Sequence, residues 1–223
     1  MLHDNRIRGL TLTDVEIRLG DRTLVAVSKS IAPGGVLTVM GPSGSGKSTL
    51  LSFIGGFLDP AFVGKGEVHA AHVDLLALPP EERRVGILFQ DPLLFPHMSV
   101  GANVAFAIPP DIRDRRERWR MASEILADMD LTGFEERDPA TLSGGQMSRV
   151  ALARVLVSRP RVLLLDEPFS KLDTELRVQM RSLVFERARA ACLPVILVTH
   201  DQADAEAAGG AVHRIGEIGV DIG

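Results

Sequence analysis

A glycine-rich stretch set between a strand-like run and a helix-like run narrows the folds open to this chain more than any other feature. It reads Gly41-Pro42-Ser43-Gly44-Ser45-Gly46-Lys47-Ser48-Thr49 and fits the pattern G-x-x-x-x-G-K-[ST]. Val36-Leu37-Thr38-Val39-Met40 precedes it and Thr49-Leu50-Leu51-Ser52-Phe53-Ile54 follows, the strand–loop–helix setting that the pattern requires. Glycines let successive backbone N–H groups turn inward around phosphate oxygens, and the following helix adds the positive end of its dipole. Lys47 is suited to neutralise the β and γ phosphates, and the Ser48 hydroxyl to ligate Mg²⁺. A tight turn merely rich in glycine has no need of that Lys and Ser. The stretch therefore predicts a nucleoside triphosphate site.

The rest of the chain supplies a sheet to carry it. Arg161-Val162-Leu163-Leu164-Leu165-Asp166-Glu167 and Val195-Ile196-Leu197-Val198-Thr199 are nearly continuous apolar runs, as expected of strands covered on both faces. A helical run over 174–190 separates them, and alternating strands and helices imply a doubly wound sheet. Residues 10–31 alternate in two strand-like runs around Gly20-Asp21-Arg22, and further strands are read at 66–70 and 85–89. Residues 91–157 read as a mostly helical insertion, with an amphipathic run over 112–129 and a helix from Gln146 to Val157. The arginines of that first run, with Trp119 packing beneath them, read as a solvated helix face. The fold class is thus α/β: a P-loop NTPase core with a mostly parallel sheet, an N-terminal antiparallel β subdomain and an inserted helical subdomain. At 223 residues and 45% hydrophobic content there is ample core for it. No apolar run reaches the roughly 18 residues that a membrane span needs, and residues 1–6 lack the apolar stretch of a secretory signal. Cys192 is the single cysteine, which excludes an internal disulfide and suits a reducing compartment. Net charge −4 and few aromatics (9 Phe, 1 Trp, no Tyr) argue for no nucleic acid partner.

In doubly wound sheets ligands bind beyond the carboxyl ends of the strands. Asp166 ends one such run, where a carboxylate can hold Mg²⁺ through its water shell, and Glu167 beside it can take a proton from, or orient, an attacking water. Gln90, after the run 85–89, is a third candidate for Mg²⁺ or that water, and His200, after 195–199, for a hydrogen bond to the γ phosphate. This set implies hydrolysis more than transfer to a bulky acceptor. His69 and His72 lack the cysteine or carboxylate set of a metal site and read as surface residues.

Leu142-Ser143-Gly144-Gly145-Gln146, taken with the loop, Gln90, Asp166-Glu167 and His200 in this order, resembles the ATP-binding subunits of ABC transporters. The resemblance covers essentially the whole chain, 1–223, as one nucleotide-binding domain. It implies ATP and Mg²⁺ as cofactors and a second copy of the chain, whose Ser143, Gly144, Gly145 and Gln146 reach the nucleotide held on the first copy's Lys47. Ser170-Lys171-Leu172-Asp173 matches the loop that passes between the two sites of such a dimer. The segment from Gln90 to Val100 resembles the importer form of the stretch that couples to membrane subunits; its Leu93, Leu94, Phe95 and Met98 suit either a permease helix or packing on the domain itself. More narrowly, Gly86-Ile87-Leu88-Phe89-Gln90-Asp91 and Asp138-Pro139-Ala140-Thr141-Leu142 look like the uncharacterised Ynj-type importer ATPases, related to thiamine-importer ATPases. The implied partners are transmembrane permease subunits and, indirectly, a periplasmic solute-binding protein, at the cytoplasmic face of the inner membrane. A soluble ABC ATPase acting on nucleic acid or the ribosome is the alternative, and it generally carries a coiled-coil insertion or two fused ATPase domains.

Two residues depart from the family pattern. Leu19 stands where an aromatic usually covers adenine, which forgoes stacking worth ~1–3 kcal/mol per base. Weaker ATP affinity and poor discrimination between ATP and GTP are expected from it. Met147 follows the signature where a basic residue is common. Beyond His200 only the runs 211–215 and 217–220 are left, read as a final strand pair, so the regulatory domain appended to some sugar-importer ATPases is expected to be absent.

Overall fold

The computed structural model describes residues 9–216. In chain order its elements are β1 (Leu10–Leu19), β2 (Arg22–Ile31), β3 (Val36–Met40), α1 (Lys47–Gly55), β4 (Phe62–Ala70), β5 (Val73–Asp74), β6 (Val85–Leu88), α2 (Val100–Phe106), α3 (Arg115–Ala127), α4 (Gly144–Val157), β7 (Val162–Asp166), α5 (Thr174–Ala190), β8 (Val195–Thr199), α6 (Gln202–Ala208) and β9 (Ala211–Arg214). Two compact units divide them: 9–85, 161–167 and 185–216 make the first, 86–160 and 168–184 the second. The expected signal-free N-terminal residues 1–6 and the expected strand at 217–220 lie outside the described residues.

The first unit holds two sheets. One runs β7-β8-β3-β9 in parallel, with Met40 of β3 paired to Thr199 and Asp166 of β7 paired to Val198. Every residue of β3 and β8 is buried, as their unbroken apolar sequences require of strands covered on both faces. α1 packs against β7, and α6 against β8 and β3. The register brings the carboxyl ends of β3, β7 and β8 level, so the residues that follow each strand emerge side by side.

The other sheet has the antiparallel order β2-β1-β4-β5. The two N-terminal runs 10–12 and 15–19 are a single strand, β1, broken in register at Asp14 (φ 46°). The Ser28 hydroxyl accepts the Asp14 N–H at 2.7 Å and donates to Asp14 Oδ1 at 2.9 Å, which holds this bulge. β4 begins at Phe62, four residues before the strand expected at 66–70. Val63, Lys65 and Gly66 are exposed and Gly64 and Gly66 interrupt the pattern, so no apolar alternation marks its first half.

In the second unit α2, α3 and α4 pack on one another. α3 is the expected amphipathic helix, started by the Asp114 carboxylate accepting the Glu117 N–H. Trp119 packs on α2 so closely that a Cβ at Gly101 would stand 2.8 Å from its ring. Fully buried Asn103 ties down the chain before α2. Its amide donates to the carbonyls of Phe95, Met98 and Ser99, and its oxygen accepts the Phe95 N–H. Phe95 lies edge-on to Phe106 with Arg154 over its ring, whereas Leu93 remains exposed. The apolar segment after Gln90 therefore packs in part on its own unit.

Candidate functional site

The carboxyl ends of β3, β7 and β8 assemble most of the candidate residues within the first unit. After β3 the backbone doubles back through Gly41, where a Cβ would stand 2.5 Å from the Ile215 carbonyl oxygen, so no side chain fits. Gly46 caps α1 in the left-handed region (φ 97°) with no side-chain hydrogen bond. The first N–H groups of α1 therefore stay open to an anion, reinforced by the helix dipole. Lys47 is buried, and its ammonium donates to the Gly41 and Pro42 carbonyls at 2.9 Å each. Its third hydrogen remains for a phosphate oxygen.

Ser48, on the first turn of α1, donates its hydroxyl to Asp166 Oδ1 at 2.9 Å. Burial pushes the Asp166 carboxyl above the usual aspartate range; the Ser48 hydrogen bond and the Lys47 charge oppose this, and the Glu167 charge adds to it. A half-buried carboxylate beside a hydroxyl is a pair of hard oxygen donors whose desolvation a divalent cation relieves, so these residues fit Mg²⁺. Among the described residues no group of three or more His, Cys, Asp or Glu could hold a metal. Phosphate oxygens and water would complete its shell, as Mg²⁺ prefers.

Glu167 has φ 45°, an uncommon conformation for a residue with a side chain and one that concentrates at functional sites. Its N–H still reaches the Val198 carbonyl at 3.0 Å, and its Oε2 lies 3.1 Å from His200 Nδ1. The turn after β8 that carries His200 is itself braced. The buried Thr199 hydroxyl donates to buried Asp204 at 2.7 Å and accepts the Asp201 N–H at 3.0 Å. The two adjacent carboxylates thus have separate settings, Asp166 against a hydroxyl and Glu167 against an imidazole.

Glu167 also lines a cavity of about 410 Å³ with Ser43, Gly44, Gly46, Lys47, Ser48 and Thr49. The remaining wall is Leu19, Arg22, Leu24 and Phe62. Leu19 was expected there; the other three were not. For Arg22 and Phe62 the signal was register: Leu19 pairs with Arg22 across β1–β2 and with Phe62 across β1–β4.

Ser143, Gly144, Gly145 and Gln146 belong to the second unit, at the start of α4. A capping box occupies this turn: Ser143 Oγ accepts the Gln146 N–H, and Gln146 Oε1 accepts the Ser143 N–H. The box uses the Ser143 and Gln146 N–H groups, which leaves those of Gly144 and Gly145 for a ligand. A Cβ at Gly145 would meet Leu176 at 2.5 Å, whereas the space around Gly144 is open. Ser143, Gly144 and Gly145 share a cavity of about 380 Å³ with Lys171, Leu172 and Asp173, so the start of the signature and the loop 171–173 line one surface. Gln90, exposed after β6, also belongs to the second unit, and its neighbour Asp91 is ion-paired to Lys171 at 2.5 Å.

Comparison with known proteins agrees with this architecture. Residues 24–170 match the model of the family described as ABC transporter. The chain is 44% identical over 199 residues to the uncharacterized ABC transporter ATP-binding protein YnjD of Escherichia coli K12, covering 89% of this chain and 91% of that one. It is 46% identical over 197 residues to the thiamine import ATP-binding protein ThiQ of Jannaschia sp. CCS1, covering 88% and 84%. Among solved structures it resembles the ATP-binding cassette MJ0796, a dimer bound to ADP and Pi in a post-hydrolysis state, with TM-score 0.74, 29% identity and coverage of 92% and 94%.

Proposed function

The chain belongs to the ABC transporter family and is an ATPase, and from that premise we propose that it hydrolyses Mg-ATP between two copies of itself to energise solute import through separate permease subunits. Residues 41–49 bind the triphosphate, and Lys47 neutralises its β and γ oxygens. Ser48 and Asp166 would hold Mg²⁺, which would supply positive charge against the β and γ phosphates. Glu167 accepts a proton as a water oxygen attacks the γ phosphorus, the bond from that phosphorus to the β–γ bridging oxygen breaks, and ADP departs. His200 holds Glu167 in line and donates to the γ phosphate. Ser143, Gly144, Gly145 and Gln146 of the second copy close the site, the two glycine N–H groups serving as donors.

The chain is a single nucleotide-binding domain with a helical insertion over about 91–157. Among the described residues no helix is long and apolar enough to cross a membrane. In this reading it works at the cytoplasmic face of the inner membrane through the permease subunits and, indirectly, with a periplasmic solute-binding protein. ThiQ's description as an import ATP-binding protein supports import.

One observation carries the hydrolytic reading: Glu167, turned by its positive φ, lies 3.1 Å from His200 and lines the same cavity as Lys47 and Ser48. Glu167→Gln is expected to bind Mg-ATP as the parent does while single-turnover hydrolysis falls about 10²-fold or more. Unchanged hydrolysis would remove Glu167 from the role.

A further inference from the structure

Arg22, Leu19 and Phe62 form one row across three strands. Leu19 is the shared partner of Arg22 on β2 and of Phe62 on β4, and directly opposed residues of antiparallel strands share a face. All three line the cavity that also holds the phosphate loop. We propose that Phe62, from β4, supplies the aromatic surface on which the nucleobase stacks, in place of an aromatic at Leu19. This rests on reading residues 41–49 as the triphosphate site.

Phe62 is suited to the task by its surroundings. Its side chain is half-buried, neither packed into the core nor fully solvated, and Leu19 beside it is 45% exposed. The turn that delivers it is fixed. The Phe62 N–H donates to the Asp59 carbonyl at 3.0 Å, and Asp59 Oδ1 accepts the Ala61 N–H at 2.8 Å. The backbone that presents the ring is therefore anchored at the strand start, so binding need not order that turn. A cavity of about 410 Å³ lies within the usual range for small ligands. A triphosphate at its glycine loop leaves the base as the part of the nucleotide that needs an apolar, planar partner. Leu19 extends the apolar surface, and the Arg22 guanidinium adds a cation to the rim of the same wall.

Stacking on a phenyl ring recognises a π face and not a hydrogen-bond pattern, so it favours no purine over another. Phe62 restores the affinity that Leu19 alone would forfeit, while leaving ATP and GTP poorly discriminated.

Calorimetric titration of the full chain with Mg-ATP, Mg-GTP and Mg-tripolyphosphate separates the base from the phosphates. Phe62→Ala and Phe62→Leu are each expected to weaken ATP and GTP alike by about tenfold or more. Both should leave tripolyphosphate binding unchanged, and Phe62→Trp should bind ATP at least as well as the parent. Lys47→Ala should lose tripolyphosphate and ATP together. ATP binding by Phe62→Leu equal to that of the parent overturns the proposal, as does an equal loss of tripolyphosphate in the Phe62 variants. If Lys47→Ala binds tripolyphosphate normally, the triphosphate reading fails instead, a result separate from any effect at Phe62.

Discussion

Arg83 should be the main anchor of the helix that carries the phosphate loop, although it touches nothing at the loop itself. Its side chain is buried, with Nε donating to the Leu78 carbonyl and Nη1 to the Phe53 and Ile54 carbonyls, all at 2.9 Å. Phe53 and Ile54 belong to the last turn of α1, whose carbonyls lie beyond the helix's own N–H ladder; the capping Gly56 N–H reaches the Phe53 carbonyl at 3.3 Å, and Arg83 adds a second donor there. The guanidinium thus satisfies three acceptors and sits at the negative end of the helix dipole. Gly56, the left-handed cap of that helix, leaves room for it, since a Cβ there would stand 2.9 Å from Arg83 Cζ. Hydrogen bonds to a charged group contribute ~1.5–3 kcal/mol each, so three of them set an upper figure of ~5–9 kcal/mol. Burying the guanidinium offsets much of this, which is also why the Arg83 pKa is lowered. Arg83→Met, which keeps the apolar stem, should therefore destabilise the protein by about 3 kcal/mol, and Arg83→Lys by less, because a point charge cannot serve three carbonyls in one fork. In urea unfolding followed by circular dichroism this lowers the midpoint by about 1 M. Calorimetry on the folded variant should find Mg-ATP affinity within about twofold of the parent, less than a 1.4 kcal/mol decade. A loss below ~1 kcal/mol, or reduced affinity with unchanged stability, refutes the reasoning.

Three further outcomes follow from other parts of the structure. Glu16 accepts hydrogen bonds from Lys65 at 2.7 Å and Thr23 at 2.9 Å, which hold its carboxyl below the usual range, the Lys65 bond contributing most. A depressed pKa gives stability that is present above the ordinary carboxylate range and lost as pH falls through the depressed value, so in acid unfolding the advantage of the parent over Glu16→Gln should vanish between about pH 5 and pH 2. Gly145→Ala should slow ATP hydrolysis by pressing on Leu176, and Leu176→Ala in the same chain should recover part of the loss; strictly additive effects would contradict that contact. His200→Ala should lower kcat about 10²-fold, beyond any weakening of Mg-ATP binding from the lost γ-phosphate bond, and a loss confined to affinity would count against its role in holding Glu167.

The parallel sheet was legible because burial on both faces leaves an unbroken apolar record. The runs 36–40 and 195–199 coincide with β3 and β8, and 161–167 contains β7. Helices with polar caps were legible to within a few residues: Asp114 caps α3 inside the expected 112–129, and Ser143 caps α4, which begins at Gly144, two residues before Gln146. The chemistry of the capping box was harder to foresee, since Ser143 and Gln146 can face a ligand or each other and the sequence is the same for both. β4 was half missed because its first residues are exposed and interrupted by glycine. Phe62 therefore entered the cavity unannounced, through a pairing with Leu19 that spans more than forty residues of chain. Arg83 was missed for a similar reason. A buried cation is recognised by the carbonyls it meets, and those of Phe53 and Ile54 are brought to it only by tertiary packing.

The proposed working site is divided between the phosphate loop with its carboxylates, in one unit of one copy, and the Gly144 and Gly145 N–H groups of another copy. Its most direct test is turnover per subunit at saturating Mg-ATP across a dilution series of the purified chain. Turnover per subunit should fall as the protein is diluted, because the paired state is lost by mass action. A turnover that stays constant down to concentrations at which only single copies sediment would contradict the claim.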